Sequence, residues 1–179
     1  MEQIKRVSRE LIHKGRILDF YEDTMQMPDG NVVKWDFLAH VGAVAVLPIL
    51  EDGRVVMVRQ YRNALERELL ELPAGKLDYP HEPGLEVAKR ELAEETGYTA
   101  KSYELLLSFY TAVAFCNEKI DVYLAKGLEA GEQALDQYEY VSVEIHHLDE
   151  VCRMIWAGEI VDMKTVAAIM AYKSSYQGS

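Results

Sequence analysis

Residues 75–98 read GKLDYPHEPGLEVAKRELAEETGY and crowd acidic side chains into a chain whose formal net charge at pH 7 is already -11. The stretch predicts a helix from Leu85 to Thr96. Pro83 suits the start of such a helix, and Gly97 stands where helices often end in a left-handed residue. On this helix, Leu85, Ala88 and Leu92 fall on one apolar stripe, which is predicted to pack on a sheet.

The acidic residues of this helix share one flank, formed by Glu91, Glu94 and Glu95. Like charges three or four residues apart destabilise an exposed helix by roughly 0.2–0.5 kcal/mol per pair. A hard divalent cation would turn this repulsion into attraction, and oxygen-only ligands suit magnesium or manganese. The alternative is a solvated acidic face with ordinary surface pairs, such as Glu86 with Lys89 and Arg90 with Glu94.

The surrounding chain predicts strands on both sides of the helix. Residues 17–40 alternate about a turn at Pro28-Asp29-Gly30, and GAVAVLPIL and RVVMVRQYR flank a second turn at Glu51-Asp52-Gly53. Further strands are predicted at YELLLSFYTAV, KIDVYLAKGL and YEYVSVEIHHL, followed by helices at LDEVCRMIWAG and MKTVAAIMAYKSS. Strands interleaved with a few helices indicate a mixed α/β sandwich.

The composition of the chain limits the classes of binding partner and the cellular compartment that are expected. A net charge of -11 argues against nucleic acid, because phosphate backbones are bound by basic surfaces. No apolar run is long enough to span a membrane, and the polar N-terminus is unlike a secretory signal. The cysteines, Cys116 and Cys152, lack metal-ligand spacing and are interpreted as reduced thiols. These features predict a cytoplasmic protein.

Residues 90–98, RELAEETGY, resemble the REUxEExGU half of the Nudix box, in which U is a bulky apolar residue. Glu82 stands at the family's spacing from Arg90, whereas Gly75 lies one residue further upstream than the pattern requires. An extra loop residue is tolerated when both ends stay anchored. The resemblance covers about residues 41–172.

The resemblance implies an α/β fold, an α/β/α sandwich around a mixed sheet, in which residues 41–179 form the Nudix hydrolase domain. Residues 1–40 would be an N-terminal β extension for dimerisation and substrate contacts. It also implies metal-dependent hydrolysis of a nucleoside diphosphate linked to another group, with Mg²⁺ as cofactor and Mn²⁺ as the alternative. The metal ligands it implies are Glu91, Glu94, Glu95 and the backbone carbonyl of Ala74. Supporting roles fall to Arg90, Glu82, Gly75 and Gly97.

The flanking segments GAVAVLPILEDGRVVMVRQYR, ELLELPAGKLD and GEIVDMKT resemble the ADP-ribose pyrophosphatases, usually homodimers that split ADP-ribose into AMP and ribose 5-phosphate. That resemblance implies a phosphate contact for Arg62 and an adenine site at Trp35 and Asp36. The catalytic residues it implies are Glu94, Glu95 and, as general base, Glu139, with Asp136 in reserve. The alternatives are a surface ion pair for Arg62, a core or interface position for Trp35, and solvated loop carboxylates.

One departure bears on the substrate. Val113 stands where these enzymes commonly carry a proline, and proline restricts the backbone. Another nucleoside diphosphate sugar, such as GDP-mannose, is therefore an alternative substrate. A Nudix-fold module that senses a nucleotide without cleaving it is the alternative from a different functional class.

Overall fold

Within the part of the chain that the structure describes, seven strands precede the first helix, which crosses the middle of the chain, and the other two helices follow the last strand. The computed structural model describes residues 3–176. The strands are β1 Lys5–Lys14, β2 Asp19–Gln26, β3 Val32–Ala39, β4 Ala43–Ile49, β5 Arg54–Arg62, β6 Arg67–Glu71, β7 Ala74–Lys76, β8 Tyr98–Tyr110, β9 Lys119–Ala130 and β10 Val141–His147. The helices are α1 Gly84–Thr96, α2 Leu148–Trp156 and α3 Met163–Tyr176.

The first of two structural units comprises the chain up to Gly42 together with Tyr110–Lys119. It contains an antiparallel sheet in the order β1-β2-β3, so the hairpin predicted within residues 17–40 is confirmed as β2 and β3. The 110–119 segment joins this unit through hydrogen bonds from Leu38 N to the Phe115 carbonyl (2.7 Å) and from His40 N to Asn117 Oδ1 (2.8 Å). Sequence spacing gives no sign of this association.

The second unit comprises Ala43–Phe109 and the chain from Ile120 onward. Its sheet has the order β10-β5-β4-β9-β8, with β6 beside β5 and β7 beside β4. The β4 and β9 strands run parallel while β4 and β7 run antiparallel, so the sheet is mixed.

The predicted hairpin of β4 and β5 is correct only at its turn. Within the described residues these strands pair at Ile49 and Val55 alone, beside a hydrogen bond from Leu50 N to the Arg54 carbonyl (2.9 Å). Beyond the turn, β7 pairs with the start of β4, and β5 pairs with β6 and β10. An alternating apolar pattern specifies a buried strand, but it does not specify the partner of that strand.

Both faces of the sheet are covered, as the predicted sandwich requires. Alternate residues of β4 point to opposite sides: Val44 and Val46 pack with α1, and Ala45 and Leu47 pack on the side of α2 and α3. The resulting fold is an α/β/α sandwich around a mixed sheet, with an N-terminal β extension. Among residues 3–176, no helix combines the length and apolar character that crossing a bilayer requires.

The predicted stripe of α1 needs one correction. Ala88 and Leu92 are fully buried as expected, but Leu85 is 37% exposed and Val87 is buried in its place. Leu85 lies in the first turn, at the edge of the packed face. Burying Leu92 contributes roughly 2 kcal/mol, so this face fixes the helix on the sheet.

Candidate active site

Helix α1 carries its acidic flank into the interior of the second unit. Pro83 caps its start, and Gly97 ends it with φ 73° and a hydrogen bond from its N–H to the Ala93 carbonyl (2.9 Å). The C-terminal end is as predicted, and the helix starts at Gly84, one residue before the predicted Leu85. With the opposite face packed on the sheet, Glu95 is 5% exposed and the Glu91 side chain 15% exposed. Glu95 is thus buried and Glu91 and Glu94 are partly buried, so the flank is not a fully solvated face.

Strand β7 runs directly beside these carboxylates. The Ala74 N–H donates a hydrogen bond to Glu95 Oε2 at 2.9 Å. A Cβ on Gly75 would lie 2.0–2.4 Å from the carboxyl atoms of Glu91, closer than real contacts permit. Gly75 is therefore required by the close approach of a carboxylate to the backbone.

The loop before α1 is tied to the helix by an ion pair. Arg90 Nη1 donates to Glu82 Oε1 at 2.8 Å, and the Asp78 N–H donates to Glu82 Oε2 at 2.7 Å. Arg90 Nη2 also lies 3.5 Å from Glu91 Oε1. Arg90 thus contacts Glu82 rather than Glu94, so one suggested surface pair does not form, whereas the pair between Lys89 and Glu86 does, at 2.7 Å.

The extra residue before Glu82 is absorbed by a local turn. The Glu82 N–H donates to the Tyr79 carbonyl at 3.2 Å, and His81 adopts a left-handed conformation with φ 67°. A non-glycine residue in this region is uncommon. The insertion therefore changes the loop and leaves the contact between Glu82 and Arg90 in place.

A pocket of about 350 Å³ opens over the acidic flank, and every residue that lines it belongs to the second unit. Its lining residues are Ala74, Gly75, Lys76, Asp78, Arg90, Glu91, Glu94, Glu95, Asp136 and Glu139. Carboxylates outnumber cations in this lining. The pocket is therefore suited to a cation, and an anionic ligand would bind here only together with one.

The buried carboxylates have raised pKa values. Burial raises the pKa of Glu91 to about 7, with Arg90 opposing the shift and Glu94 adding to it. Burial also raises the pKa of Glu95 to about 7, although the N–H of Ala74 opposes it. The pKa of Glu94 is raised as well, again mainly through burial. The free energy of holding these groups ionised is the energy that a bound cation could offset.

The residues present fit a hard divalent cation, because the donors are all oxygens and Gly75 leaves room for a carboxylate against the backbone. Within residues 3–176, no three carboxylate, imidazole or thiol groups converge closely enough to form a ready-made metal cage. Carboxylates of like charge can converge once a cation neutralises them. The ligand assignments therefore remain predictions.

The loop that carries Asp136 and Glu139 is fastened to the end of α1. Gln133 Nε2 donates to the Glu95 carbonyl at 2.5 Å, and the Ala134 N–H donates to the Glu94 carbonyl at 3.0 Å. These bonds satisfy helix carbonyls that would otherwise lack partners. They hold the loop of Asp136 and Glu139 at the pocket; the family resemblance named both residues, whereas the contacts of Gln133 and Ala134 have no signal in the sequence.

Arg62 forms an ion pair with a buried carboxylate. Its Nε and Nη2 donate to the two oxygens of Glu71 at 2.8 and 2.5 Å, and Glu71 is only 1% exposed. Lys164 contacts the same carboxylate at 2.5 Å. The alternative to a phosphate contact is a surface ion pair; Arg62 does form an ion pair, but its partner Glu71 is buried. The phosphate contact stays a prediction.

The remaining predicted residues lie in the first unit. Trp35 and Asp36 are exposed residues of β3, opposite Asp23 and Glu22 respectively on β2. Val113 is 79% exposed and follows Ala112, whose carbonyl accepts hydrogen bonds in a local helical turn. Trp35 is therefore not a core residue of its own unit.

The sequence matches the NUDIX domain family over residues 39–168. The chain belongs to the Nudix family. Its acidic helix and the ion pair between Arg90 and Glu82 thus belong to a Nudix hydrolase.

Individual proteins similar to this Nudix hydrolase include two with about 40% sequence identity over most of the chain. It is 40% identical over 167 residues to the Bacillus subtilis (strain 168) protein named ADP-ribose pyrophosphatase, covering 92% of this chain and 90% of that one. It is 41% identical over 167 residues to the Bacillus methanolicus protein named methanol dehydrogenase activator, with the same two coverages. A solved structure titled ADP compounds hydrolase has a TM-score of 0.87 at 20% identity, covering 99% of this chain and 96% of that one. This last similarity concerns the fold.

Proposed function

We propose that this Nudix hydrolase cleaves the pyrophosphate bond of ADP-ribose, to AMP and ribose 5-phosphate, with Mg²⁺ as its cofactor. The observation that carries the reaction is the buried carboxylate flank of α1, which lines a pocket and abuts a backbone glycine. The substrate is supported by the 40% identity to a protein named ADP-ribose pyrophosphatase across nearly the full length of both chains.

In this proposal, Glu91, Glu94, Glu95 and the Ala74 carbonyl hold the cation, with Mn²⁺ as the alternative ion. Bound there, Mg²⁺ supplies the positive charge that neutralises a pyrophosphate and favours attack by water at phosphorus. Arg90 would orient the carboxylate of Glu91, since its Nη2 lies 3.5 Å from Oε1.

A general base completes the reaction. Water attacks phosphorus, the bond from phosphorus to the bridging oxygen breaks, and the proton of the water passes to a carboxylate. We assign this role to Glu139, with Asp136 in reserve, because both line the pocket on a loop fastened to α1. A base must be within reach before its pKa matters, and both carboxylates are placed at the same pocket.

The substrate's other parts would be bound outside the acidic flank. Arg62 would contact phosphate through its guanidinium, a group whose planar fork suits phosphate oxygens. Trp35 and Asp36 would bind adenine from the N-terminal β extension, residues 1–40, contributed within a homodimer. Support comes from the exposed apolar residues of β1, among them Val7 (62% exposed) and Ile12 (50% exposed), which a partner subunit would cover.

Two alternatives remain. Val113 replaces the proline expected by resemblance, which favours a test of GDP-mannose and other nucleotide sugars. The similarity to a protein named methanol dehydrogenase activator keeps a regulatory module as the candidate from another class. The carboxylates of the pocket favour the enzyme, because a module that only binds a nucleotide has no need of a set of metal ligands. A cytoplasmic location belongs to the same proposal, in line with two free cysteines.

The deciding experiment measures nucleoside monophosphate release from ADP-ribose, GDP-mannose and UDP-glucose, with Mg²⁺ and with chelator. We expect fastest release from ADP-ribose, dependence on Mg²⁺, and a fall of at least about 100-fold in Glu94→Gln, by analogy with the loss of a key electrostatic group. Faster release from GDP-mannose would refute the substrate. Tight binding without metal-dependent turnover across the panel would refute the enzyme.

A further inference from the structure

A buried cluster of charges lies at the start of α3, in the segment 158–165 that reads GEIVDMKT. Lys164 is 8% exposed, and its Nζ lies 2.5 Å from Glu71 Oε2 and 2.9 Å from Asp162 Oδ2. A lysine is almost never buried unless it is paired. The resemblance of this segment to the ADP-ribose pyrophosphatases does not explain why its lysine is buried.

The lysine is held in place by its neighbours. The N–H and the Oγ1 of Thr165 both donate to Asp162 Oδ2, at 3.0 and 2.6 Å, which fixes the first turn of α3. The Leu72 N–H donates to Thr165 Oγ1 at 2.9 Å. Leu72 directly follows Glu71, so the helix start and the Glu71 carboxylate are fastened to each other.

The other end of the cluster reaches Arg62. Glu71 accepts from Nε and Nη2 of Arg62 and from Lys164, so its carboxylate is shared between two cations. Glu71 and Lys164 have side-chain exposures of 1% and 9%, whereas that of Arg62 is 39%. Nη1 of Arg62 has no partner among the described residues, and it belongs to the exposed member of the cluster.

Arg62 is also close to the acidic flank of α1. Its partner Glu71 lies three residues before Ala74, whose N–H donates to Glu95 Oε2 at 2.9 Å. An arginine at this place can contact an anionic group of a ligand whose cation sits on the flank. Its ability to bind that group depends on two conditions, a guanidinium held in one orientation and a positive charge that Glu71 does not neutralise.

Lys164 bears on both conditions. A guanidinium fixed by two hydrogen bonds loses little further conformational entropy when it binds an anion. The carboxylate of Glu71 alone would neutralise Arg62, and the second cation offsets that charge. With Arg62 and Lys164 against Glu71 and Asp162, the four side chains have no net charge. Without Lys164 the cluster would be net negative beside a binding site for phosphate.

We propose that Lys164 is a positioning residue for substrate binding, which acts through Glu71 to hold the Arg62 guanidinium oriented and available for a phosphate group. This proposal rests on the proposed hydrolysis of a nucleoside diphosphate sugar. It assigns a role to the GEIVDMKT segment and links residues 62, 71 and 164 in one unit.

The main test is a double-mutant cycle in substrate hydrolysis. Lys164→Met is expected to raise KM for ADP-ribose roughly tenfold, the usual worth of a hydrogen bond to a charged group, with little change in kcat. Lys164→Arg is expected to restore most of the affinity. Lys164→Met should have no further effect on KM when Arg62→Met is already present, because the lysine acts through that arginine. Additive effects in the double variant would overturn the proposal.

A matched control uses the same helix. Lys173 pairs with Asp149 at 2.8 Å on the exposed side of α3, so Lys173→Met removes a charge without touching the cluster. It is expected to leave KM unchanged. A rise in KM equal to that of Lys164→Met would show a general charge effect and overturn the proposal.

A second readout does not depend on activity. The Arg62 Nε–H resonance, identified by its loss in Arg62→Met, is expected to be protected from solvent exchange in the wild type. Its exchange should accelerate at least about tenfold in Lys164→Met and in the milder variant Glu71→Gln, but not in Lys173→Met. If no nucleotide sugar is hydrolysed, the proposed function fails while this measurement still tests the link. Unchanged exchange in both cluster variants would overturn that link.

Discussion

Gly75→Ala tests whether the carboxylate of Glu91 must lie against the backbone of β7. A Cβ at this position would approach the Glu91 carboxyl atoms to 2.0–2.4 Å, whereas ordinary contact begins at 3.4 Å. The carboxylate must therefore retreat by at least about 1.4 Å (3.4 minus 2.0). Because the clashing atoms end a flexible side chain, we expect the fold to persist with a change in unfolding free energy below about 1 kcal/mol.

The displacement should instead appear in activity and metal binding. A misplacement of about 1 Å in a catalytic site can reduce the rate roughly 100-fold, which corresponds to about 2.7 kcal/mol in the barrier. Steady-state release of AMP at saturating Mg²⁺ would measure kcat/KM. Gly84→Ala is the matched control, since the nearest atom to its Cβ would be the Tyr123 hydroxyl oxygen at 3.1 Å, with Tyr123 Cε2 and Val44 Cγ2 at an ordinary 3.5 Å. If both variants keep the wild-type kcat/KM and metal affinity, Glu91 is not a ligand and the reasoning is wrong.

Further predictions concern charge and assembly. In chelator, the free energy of unfolding should fall as pH rises from about 4.5 to about 7, because the folded protein retains protons on Glu91 and Glu95 that the unfolded chain releases near its lower pKa. Each group contributes at most about 3 kcal/mol, measured by urea unfolding near pH 5 and near pH 8; a flat profile would contradict this. Glu82→Gln should lower kcat/KM roughly tenfold by weakening its pair with Arg90, and an unchanged value would argue against a supporting role. Light scattering should find a dimer; a monomer at working concentration would refute the shared adenine site.

The helix and its caps were predictable because the signals are local. Pro83, Gly97 and the apolar spacing all fall within one stretch, and the helix begins only one residue before the predicted Leu85. The burial of Leu85 was predicted wrongly, because the edge of a helix face depends on the neighbouring elements. The spacing of apolar residues predicts which face of the helix is buried, but the neighbouring elements determine how many residues at the edge of that face are covered.

Long-range contacts were not predictable in the same way. The loop with Glu139 reaches the pocket because Gln133 bonds to the end of α1, and a single glutamine in a polar loop carries no pattern. Glu71 and Lys164 are 93 residues apart, and neither shows from sequence that the other will be its partner. The resemblance to a family marked the GEIVDMKT segment as notable, but the physical reason appears only when the helix start meets β6.

The central claim, that the flank of α1 binds a divalent cation, is tested most directly by calorimetric titration of Mg²⁺ and Mn²⁺. Glu95→Gln removes a buried carboxylate of the pocket, and Glu86→Gln removes an exposed one on the same helix, 62% exposed and paired with Lys89. We predict that Glu95→Gln weakens Kd at least about tenfold and that Glu86→Gln leaves it within about twofold of the wild type. Equal affinities in all three proteins would contradict the claim.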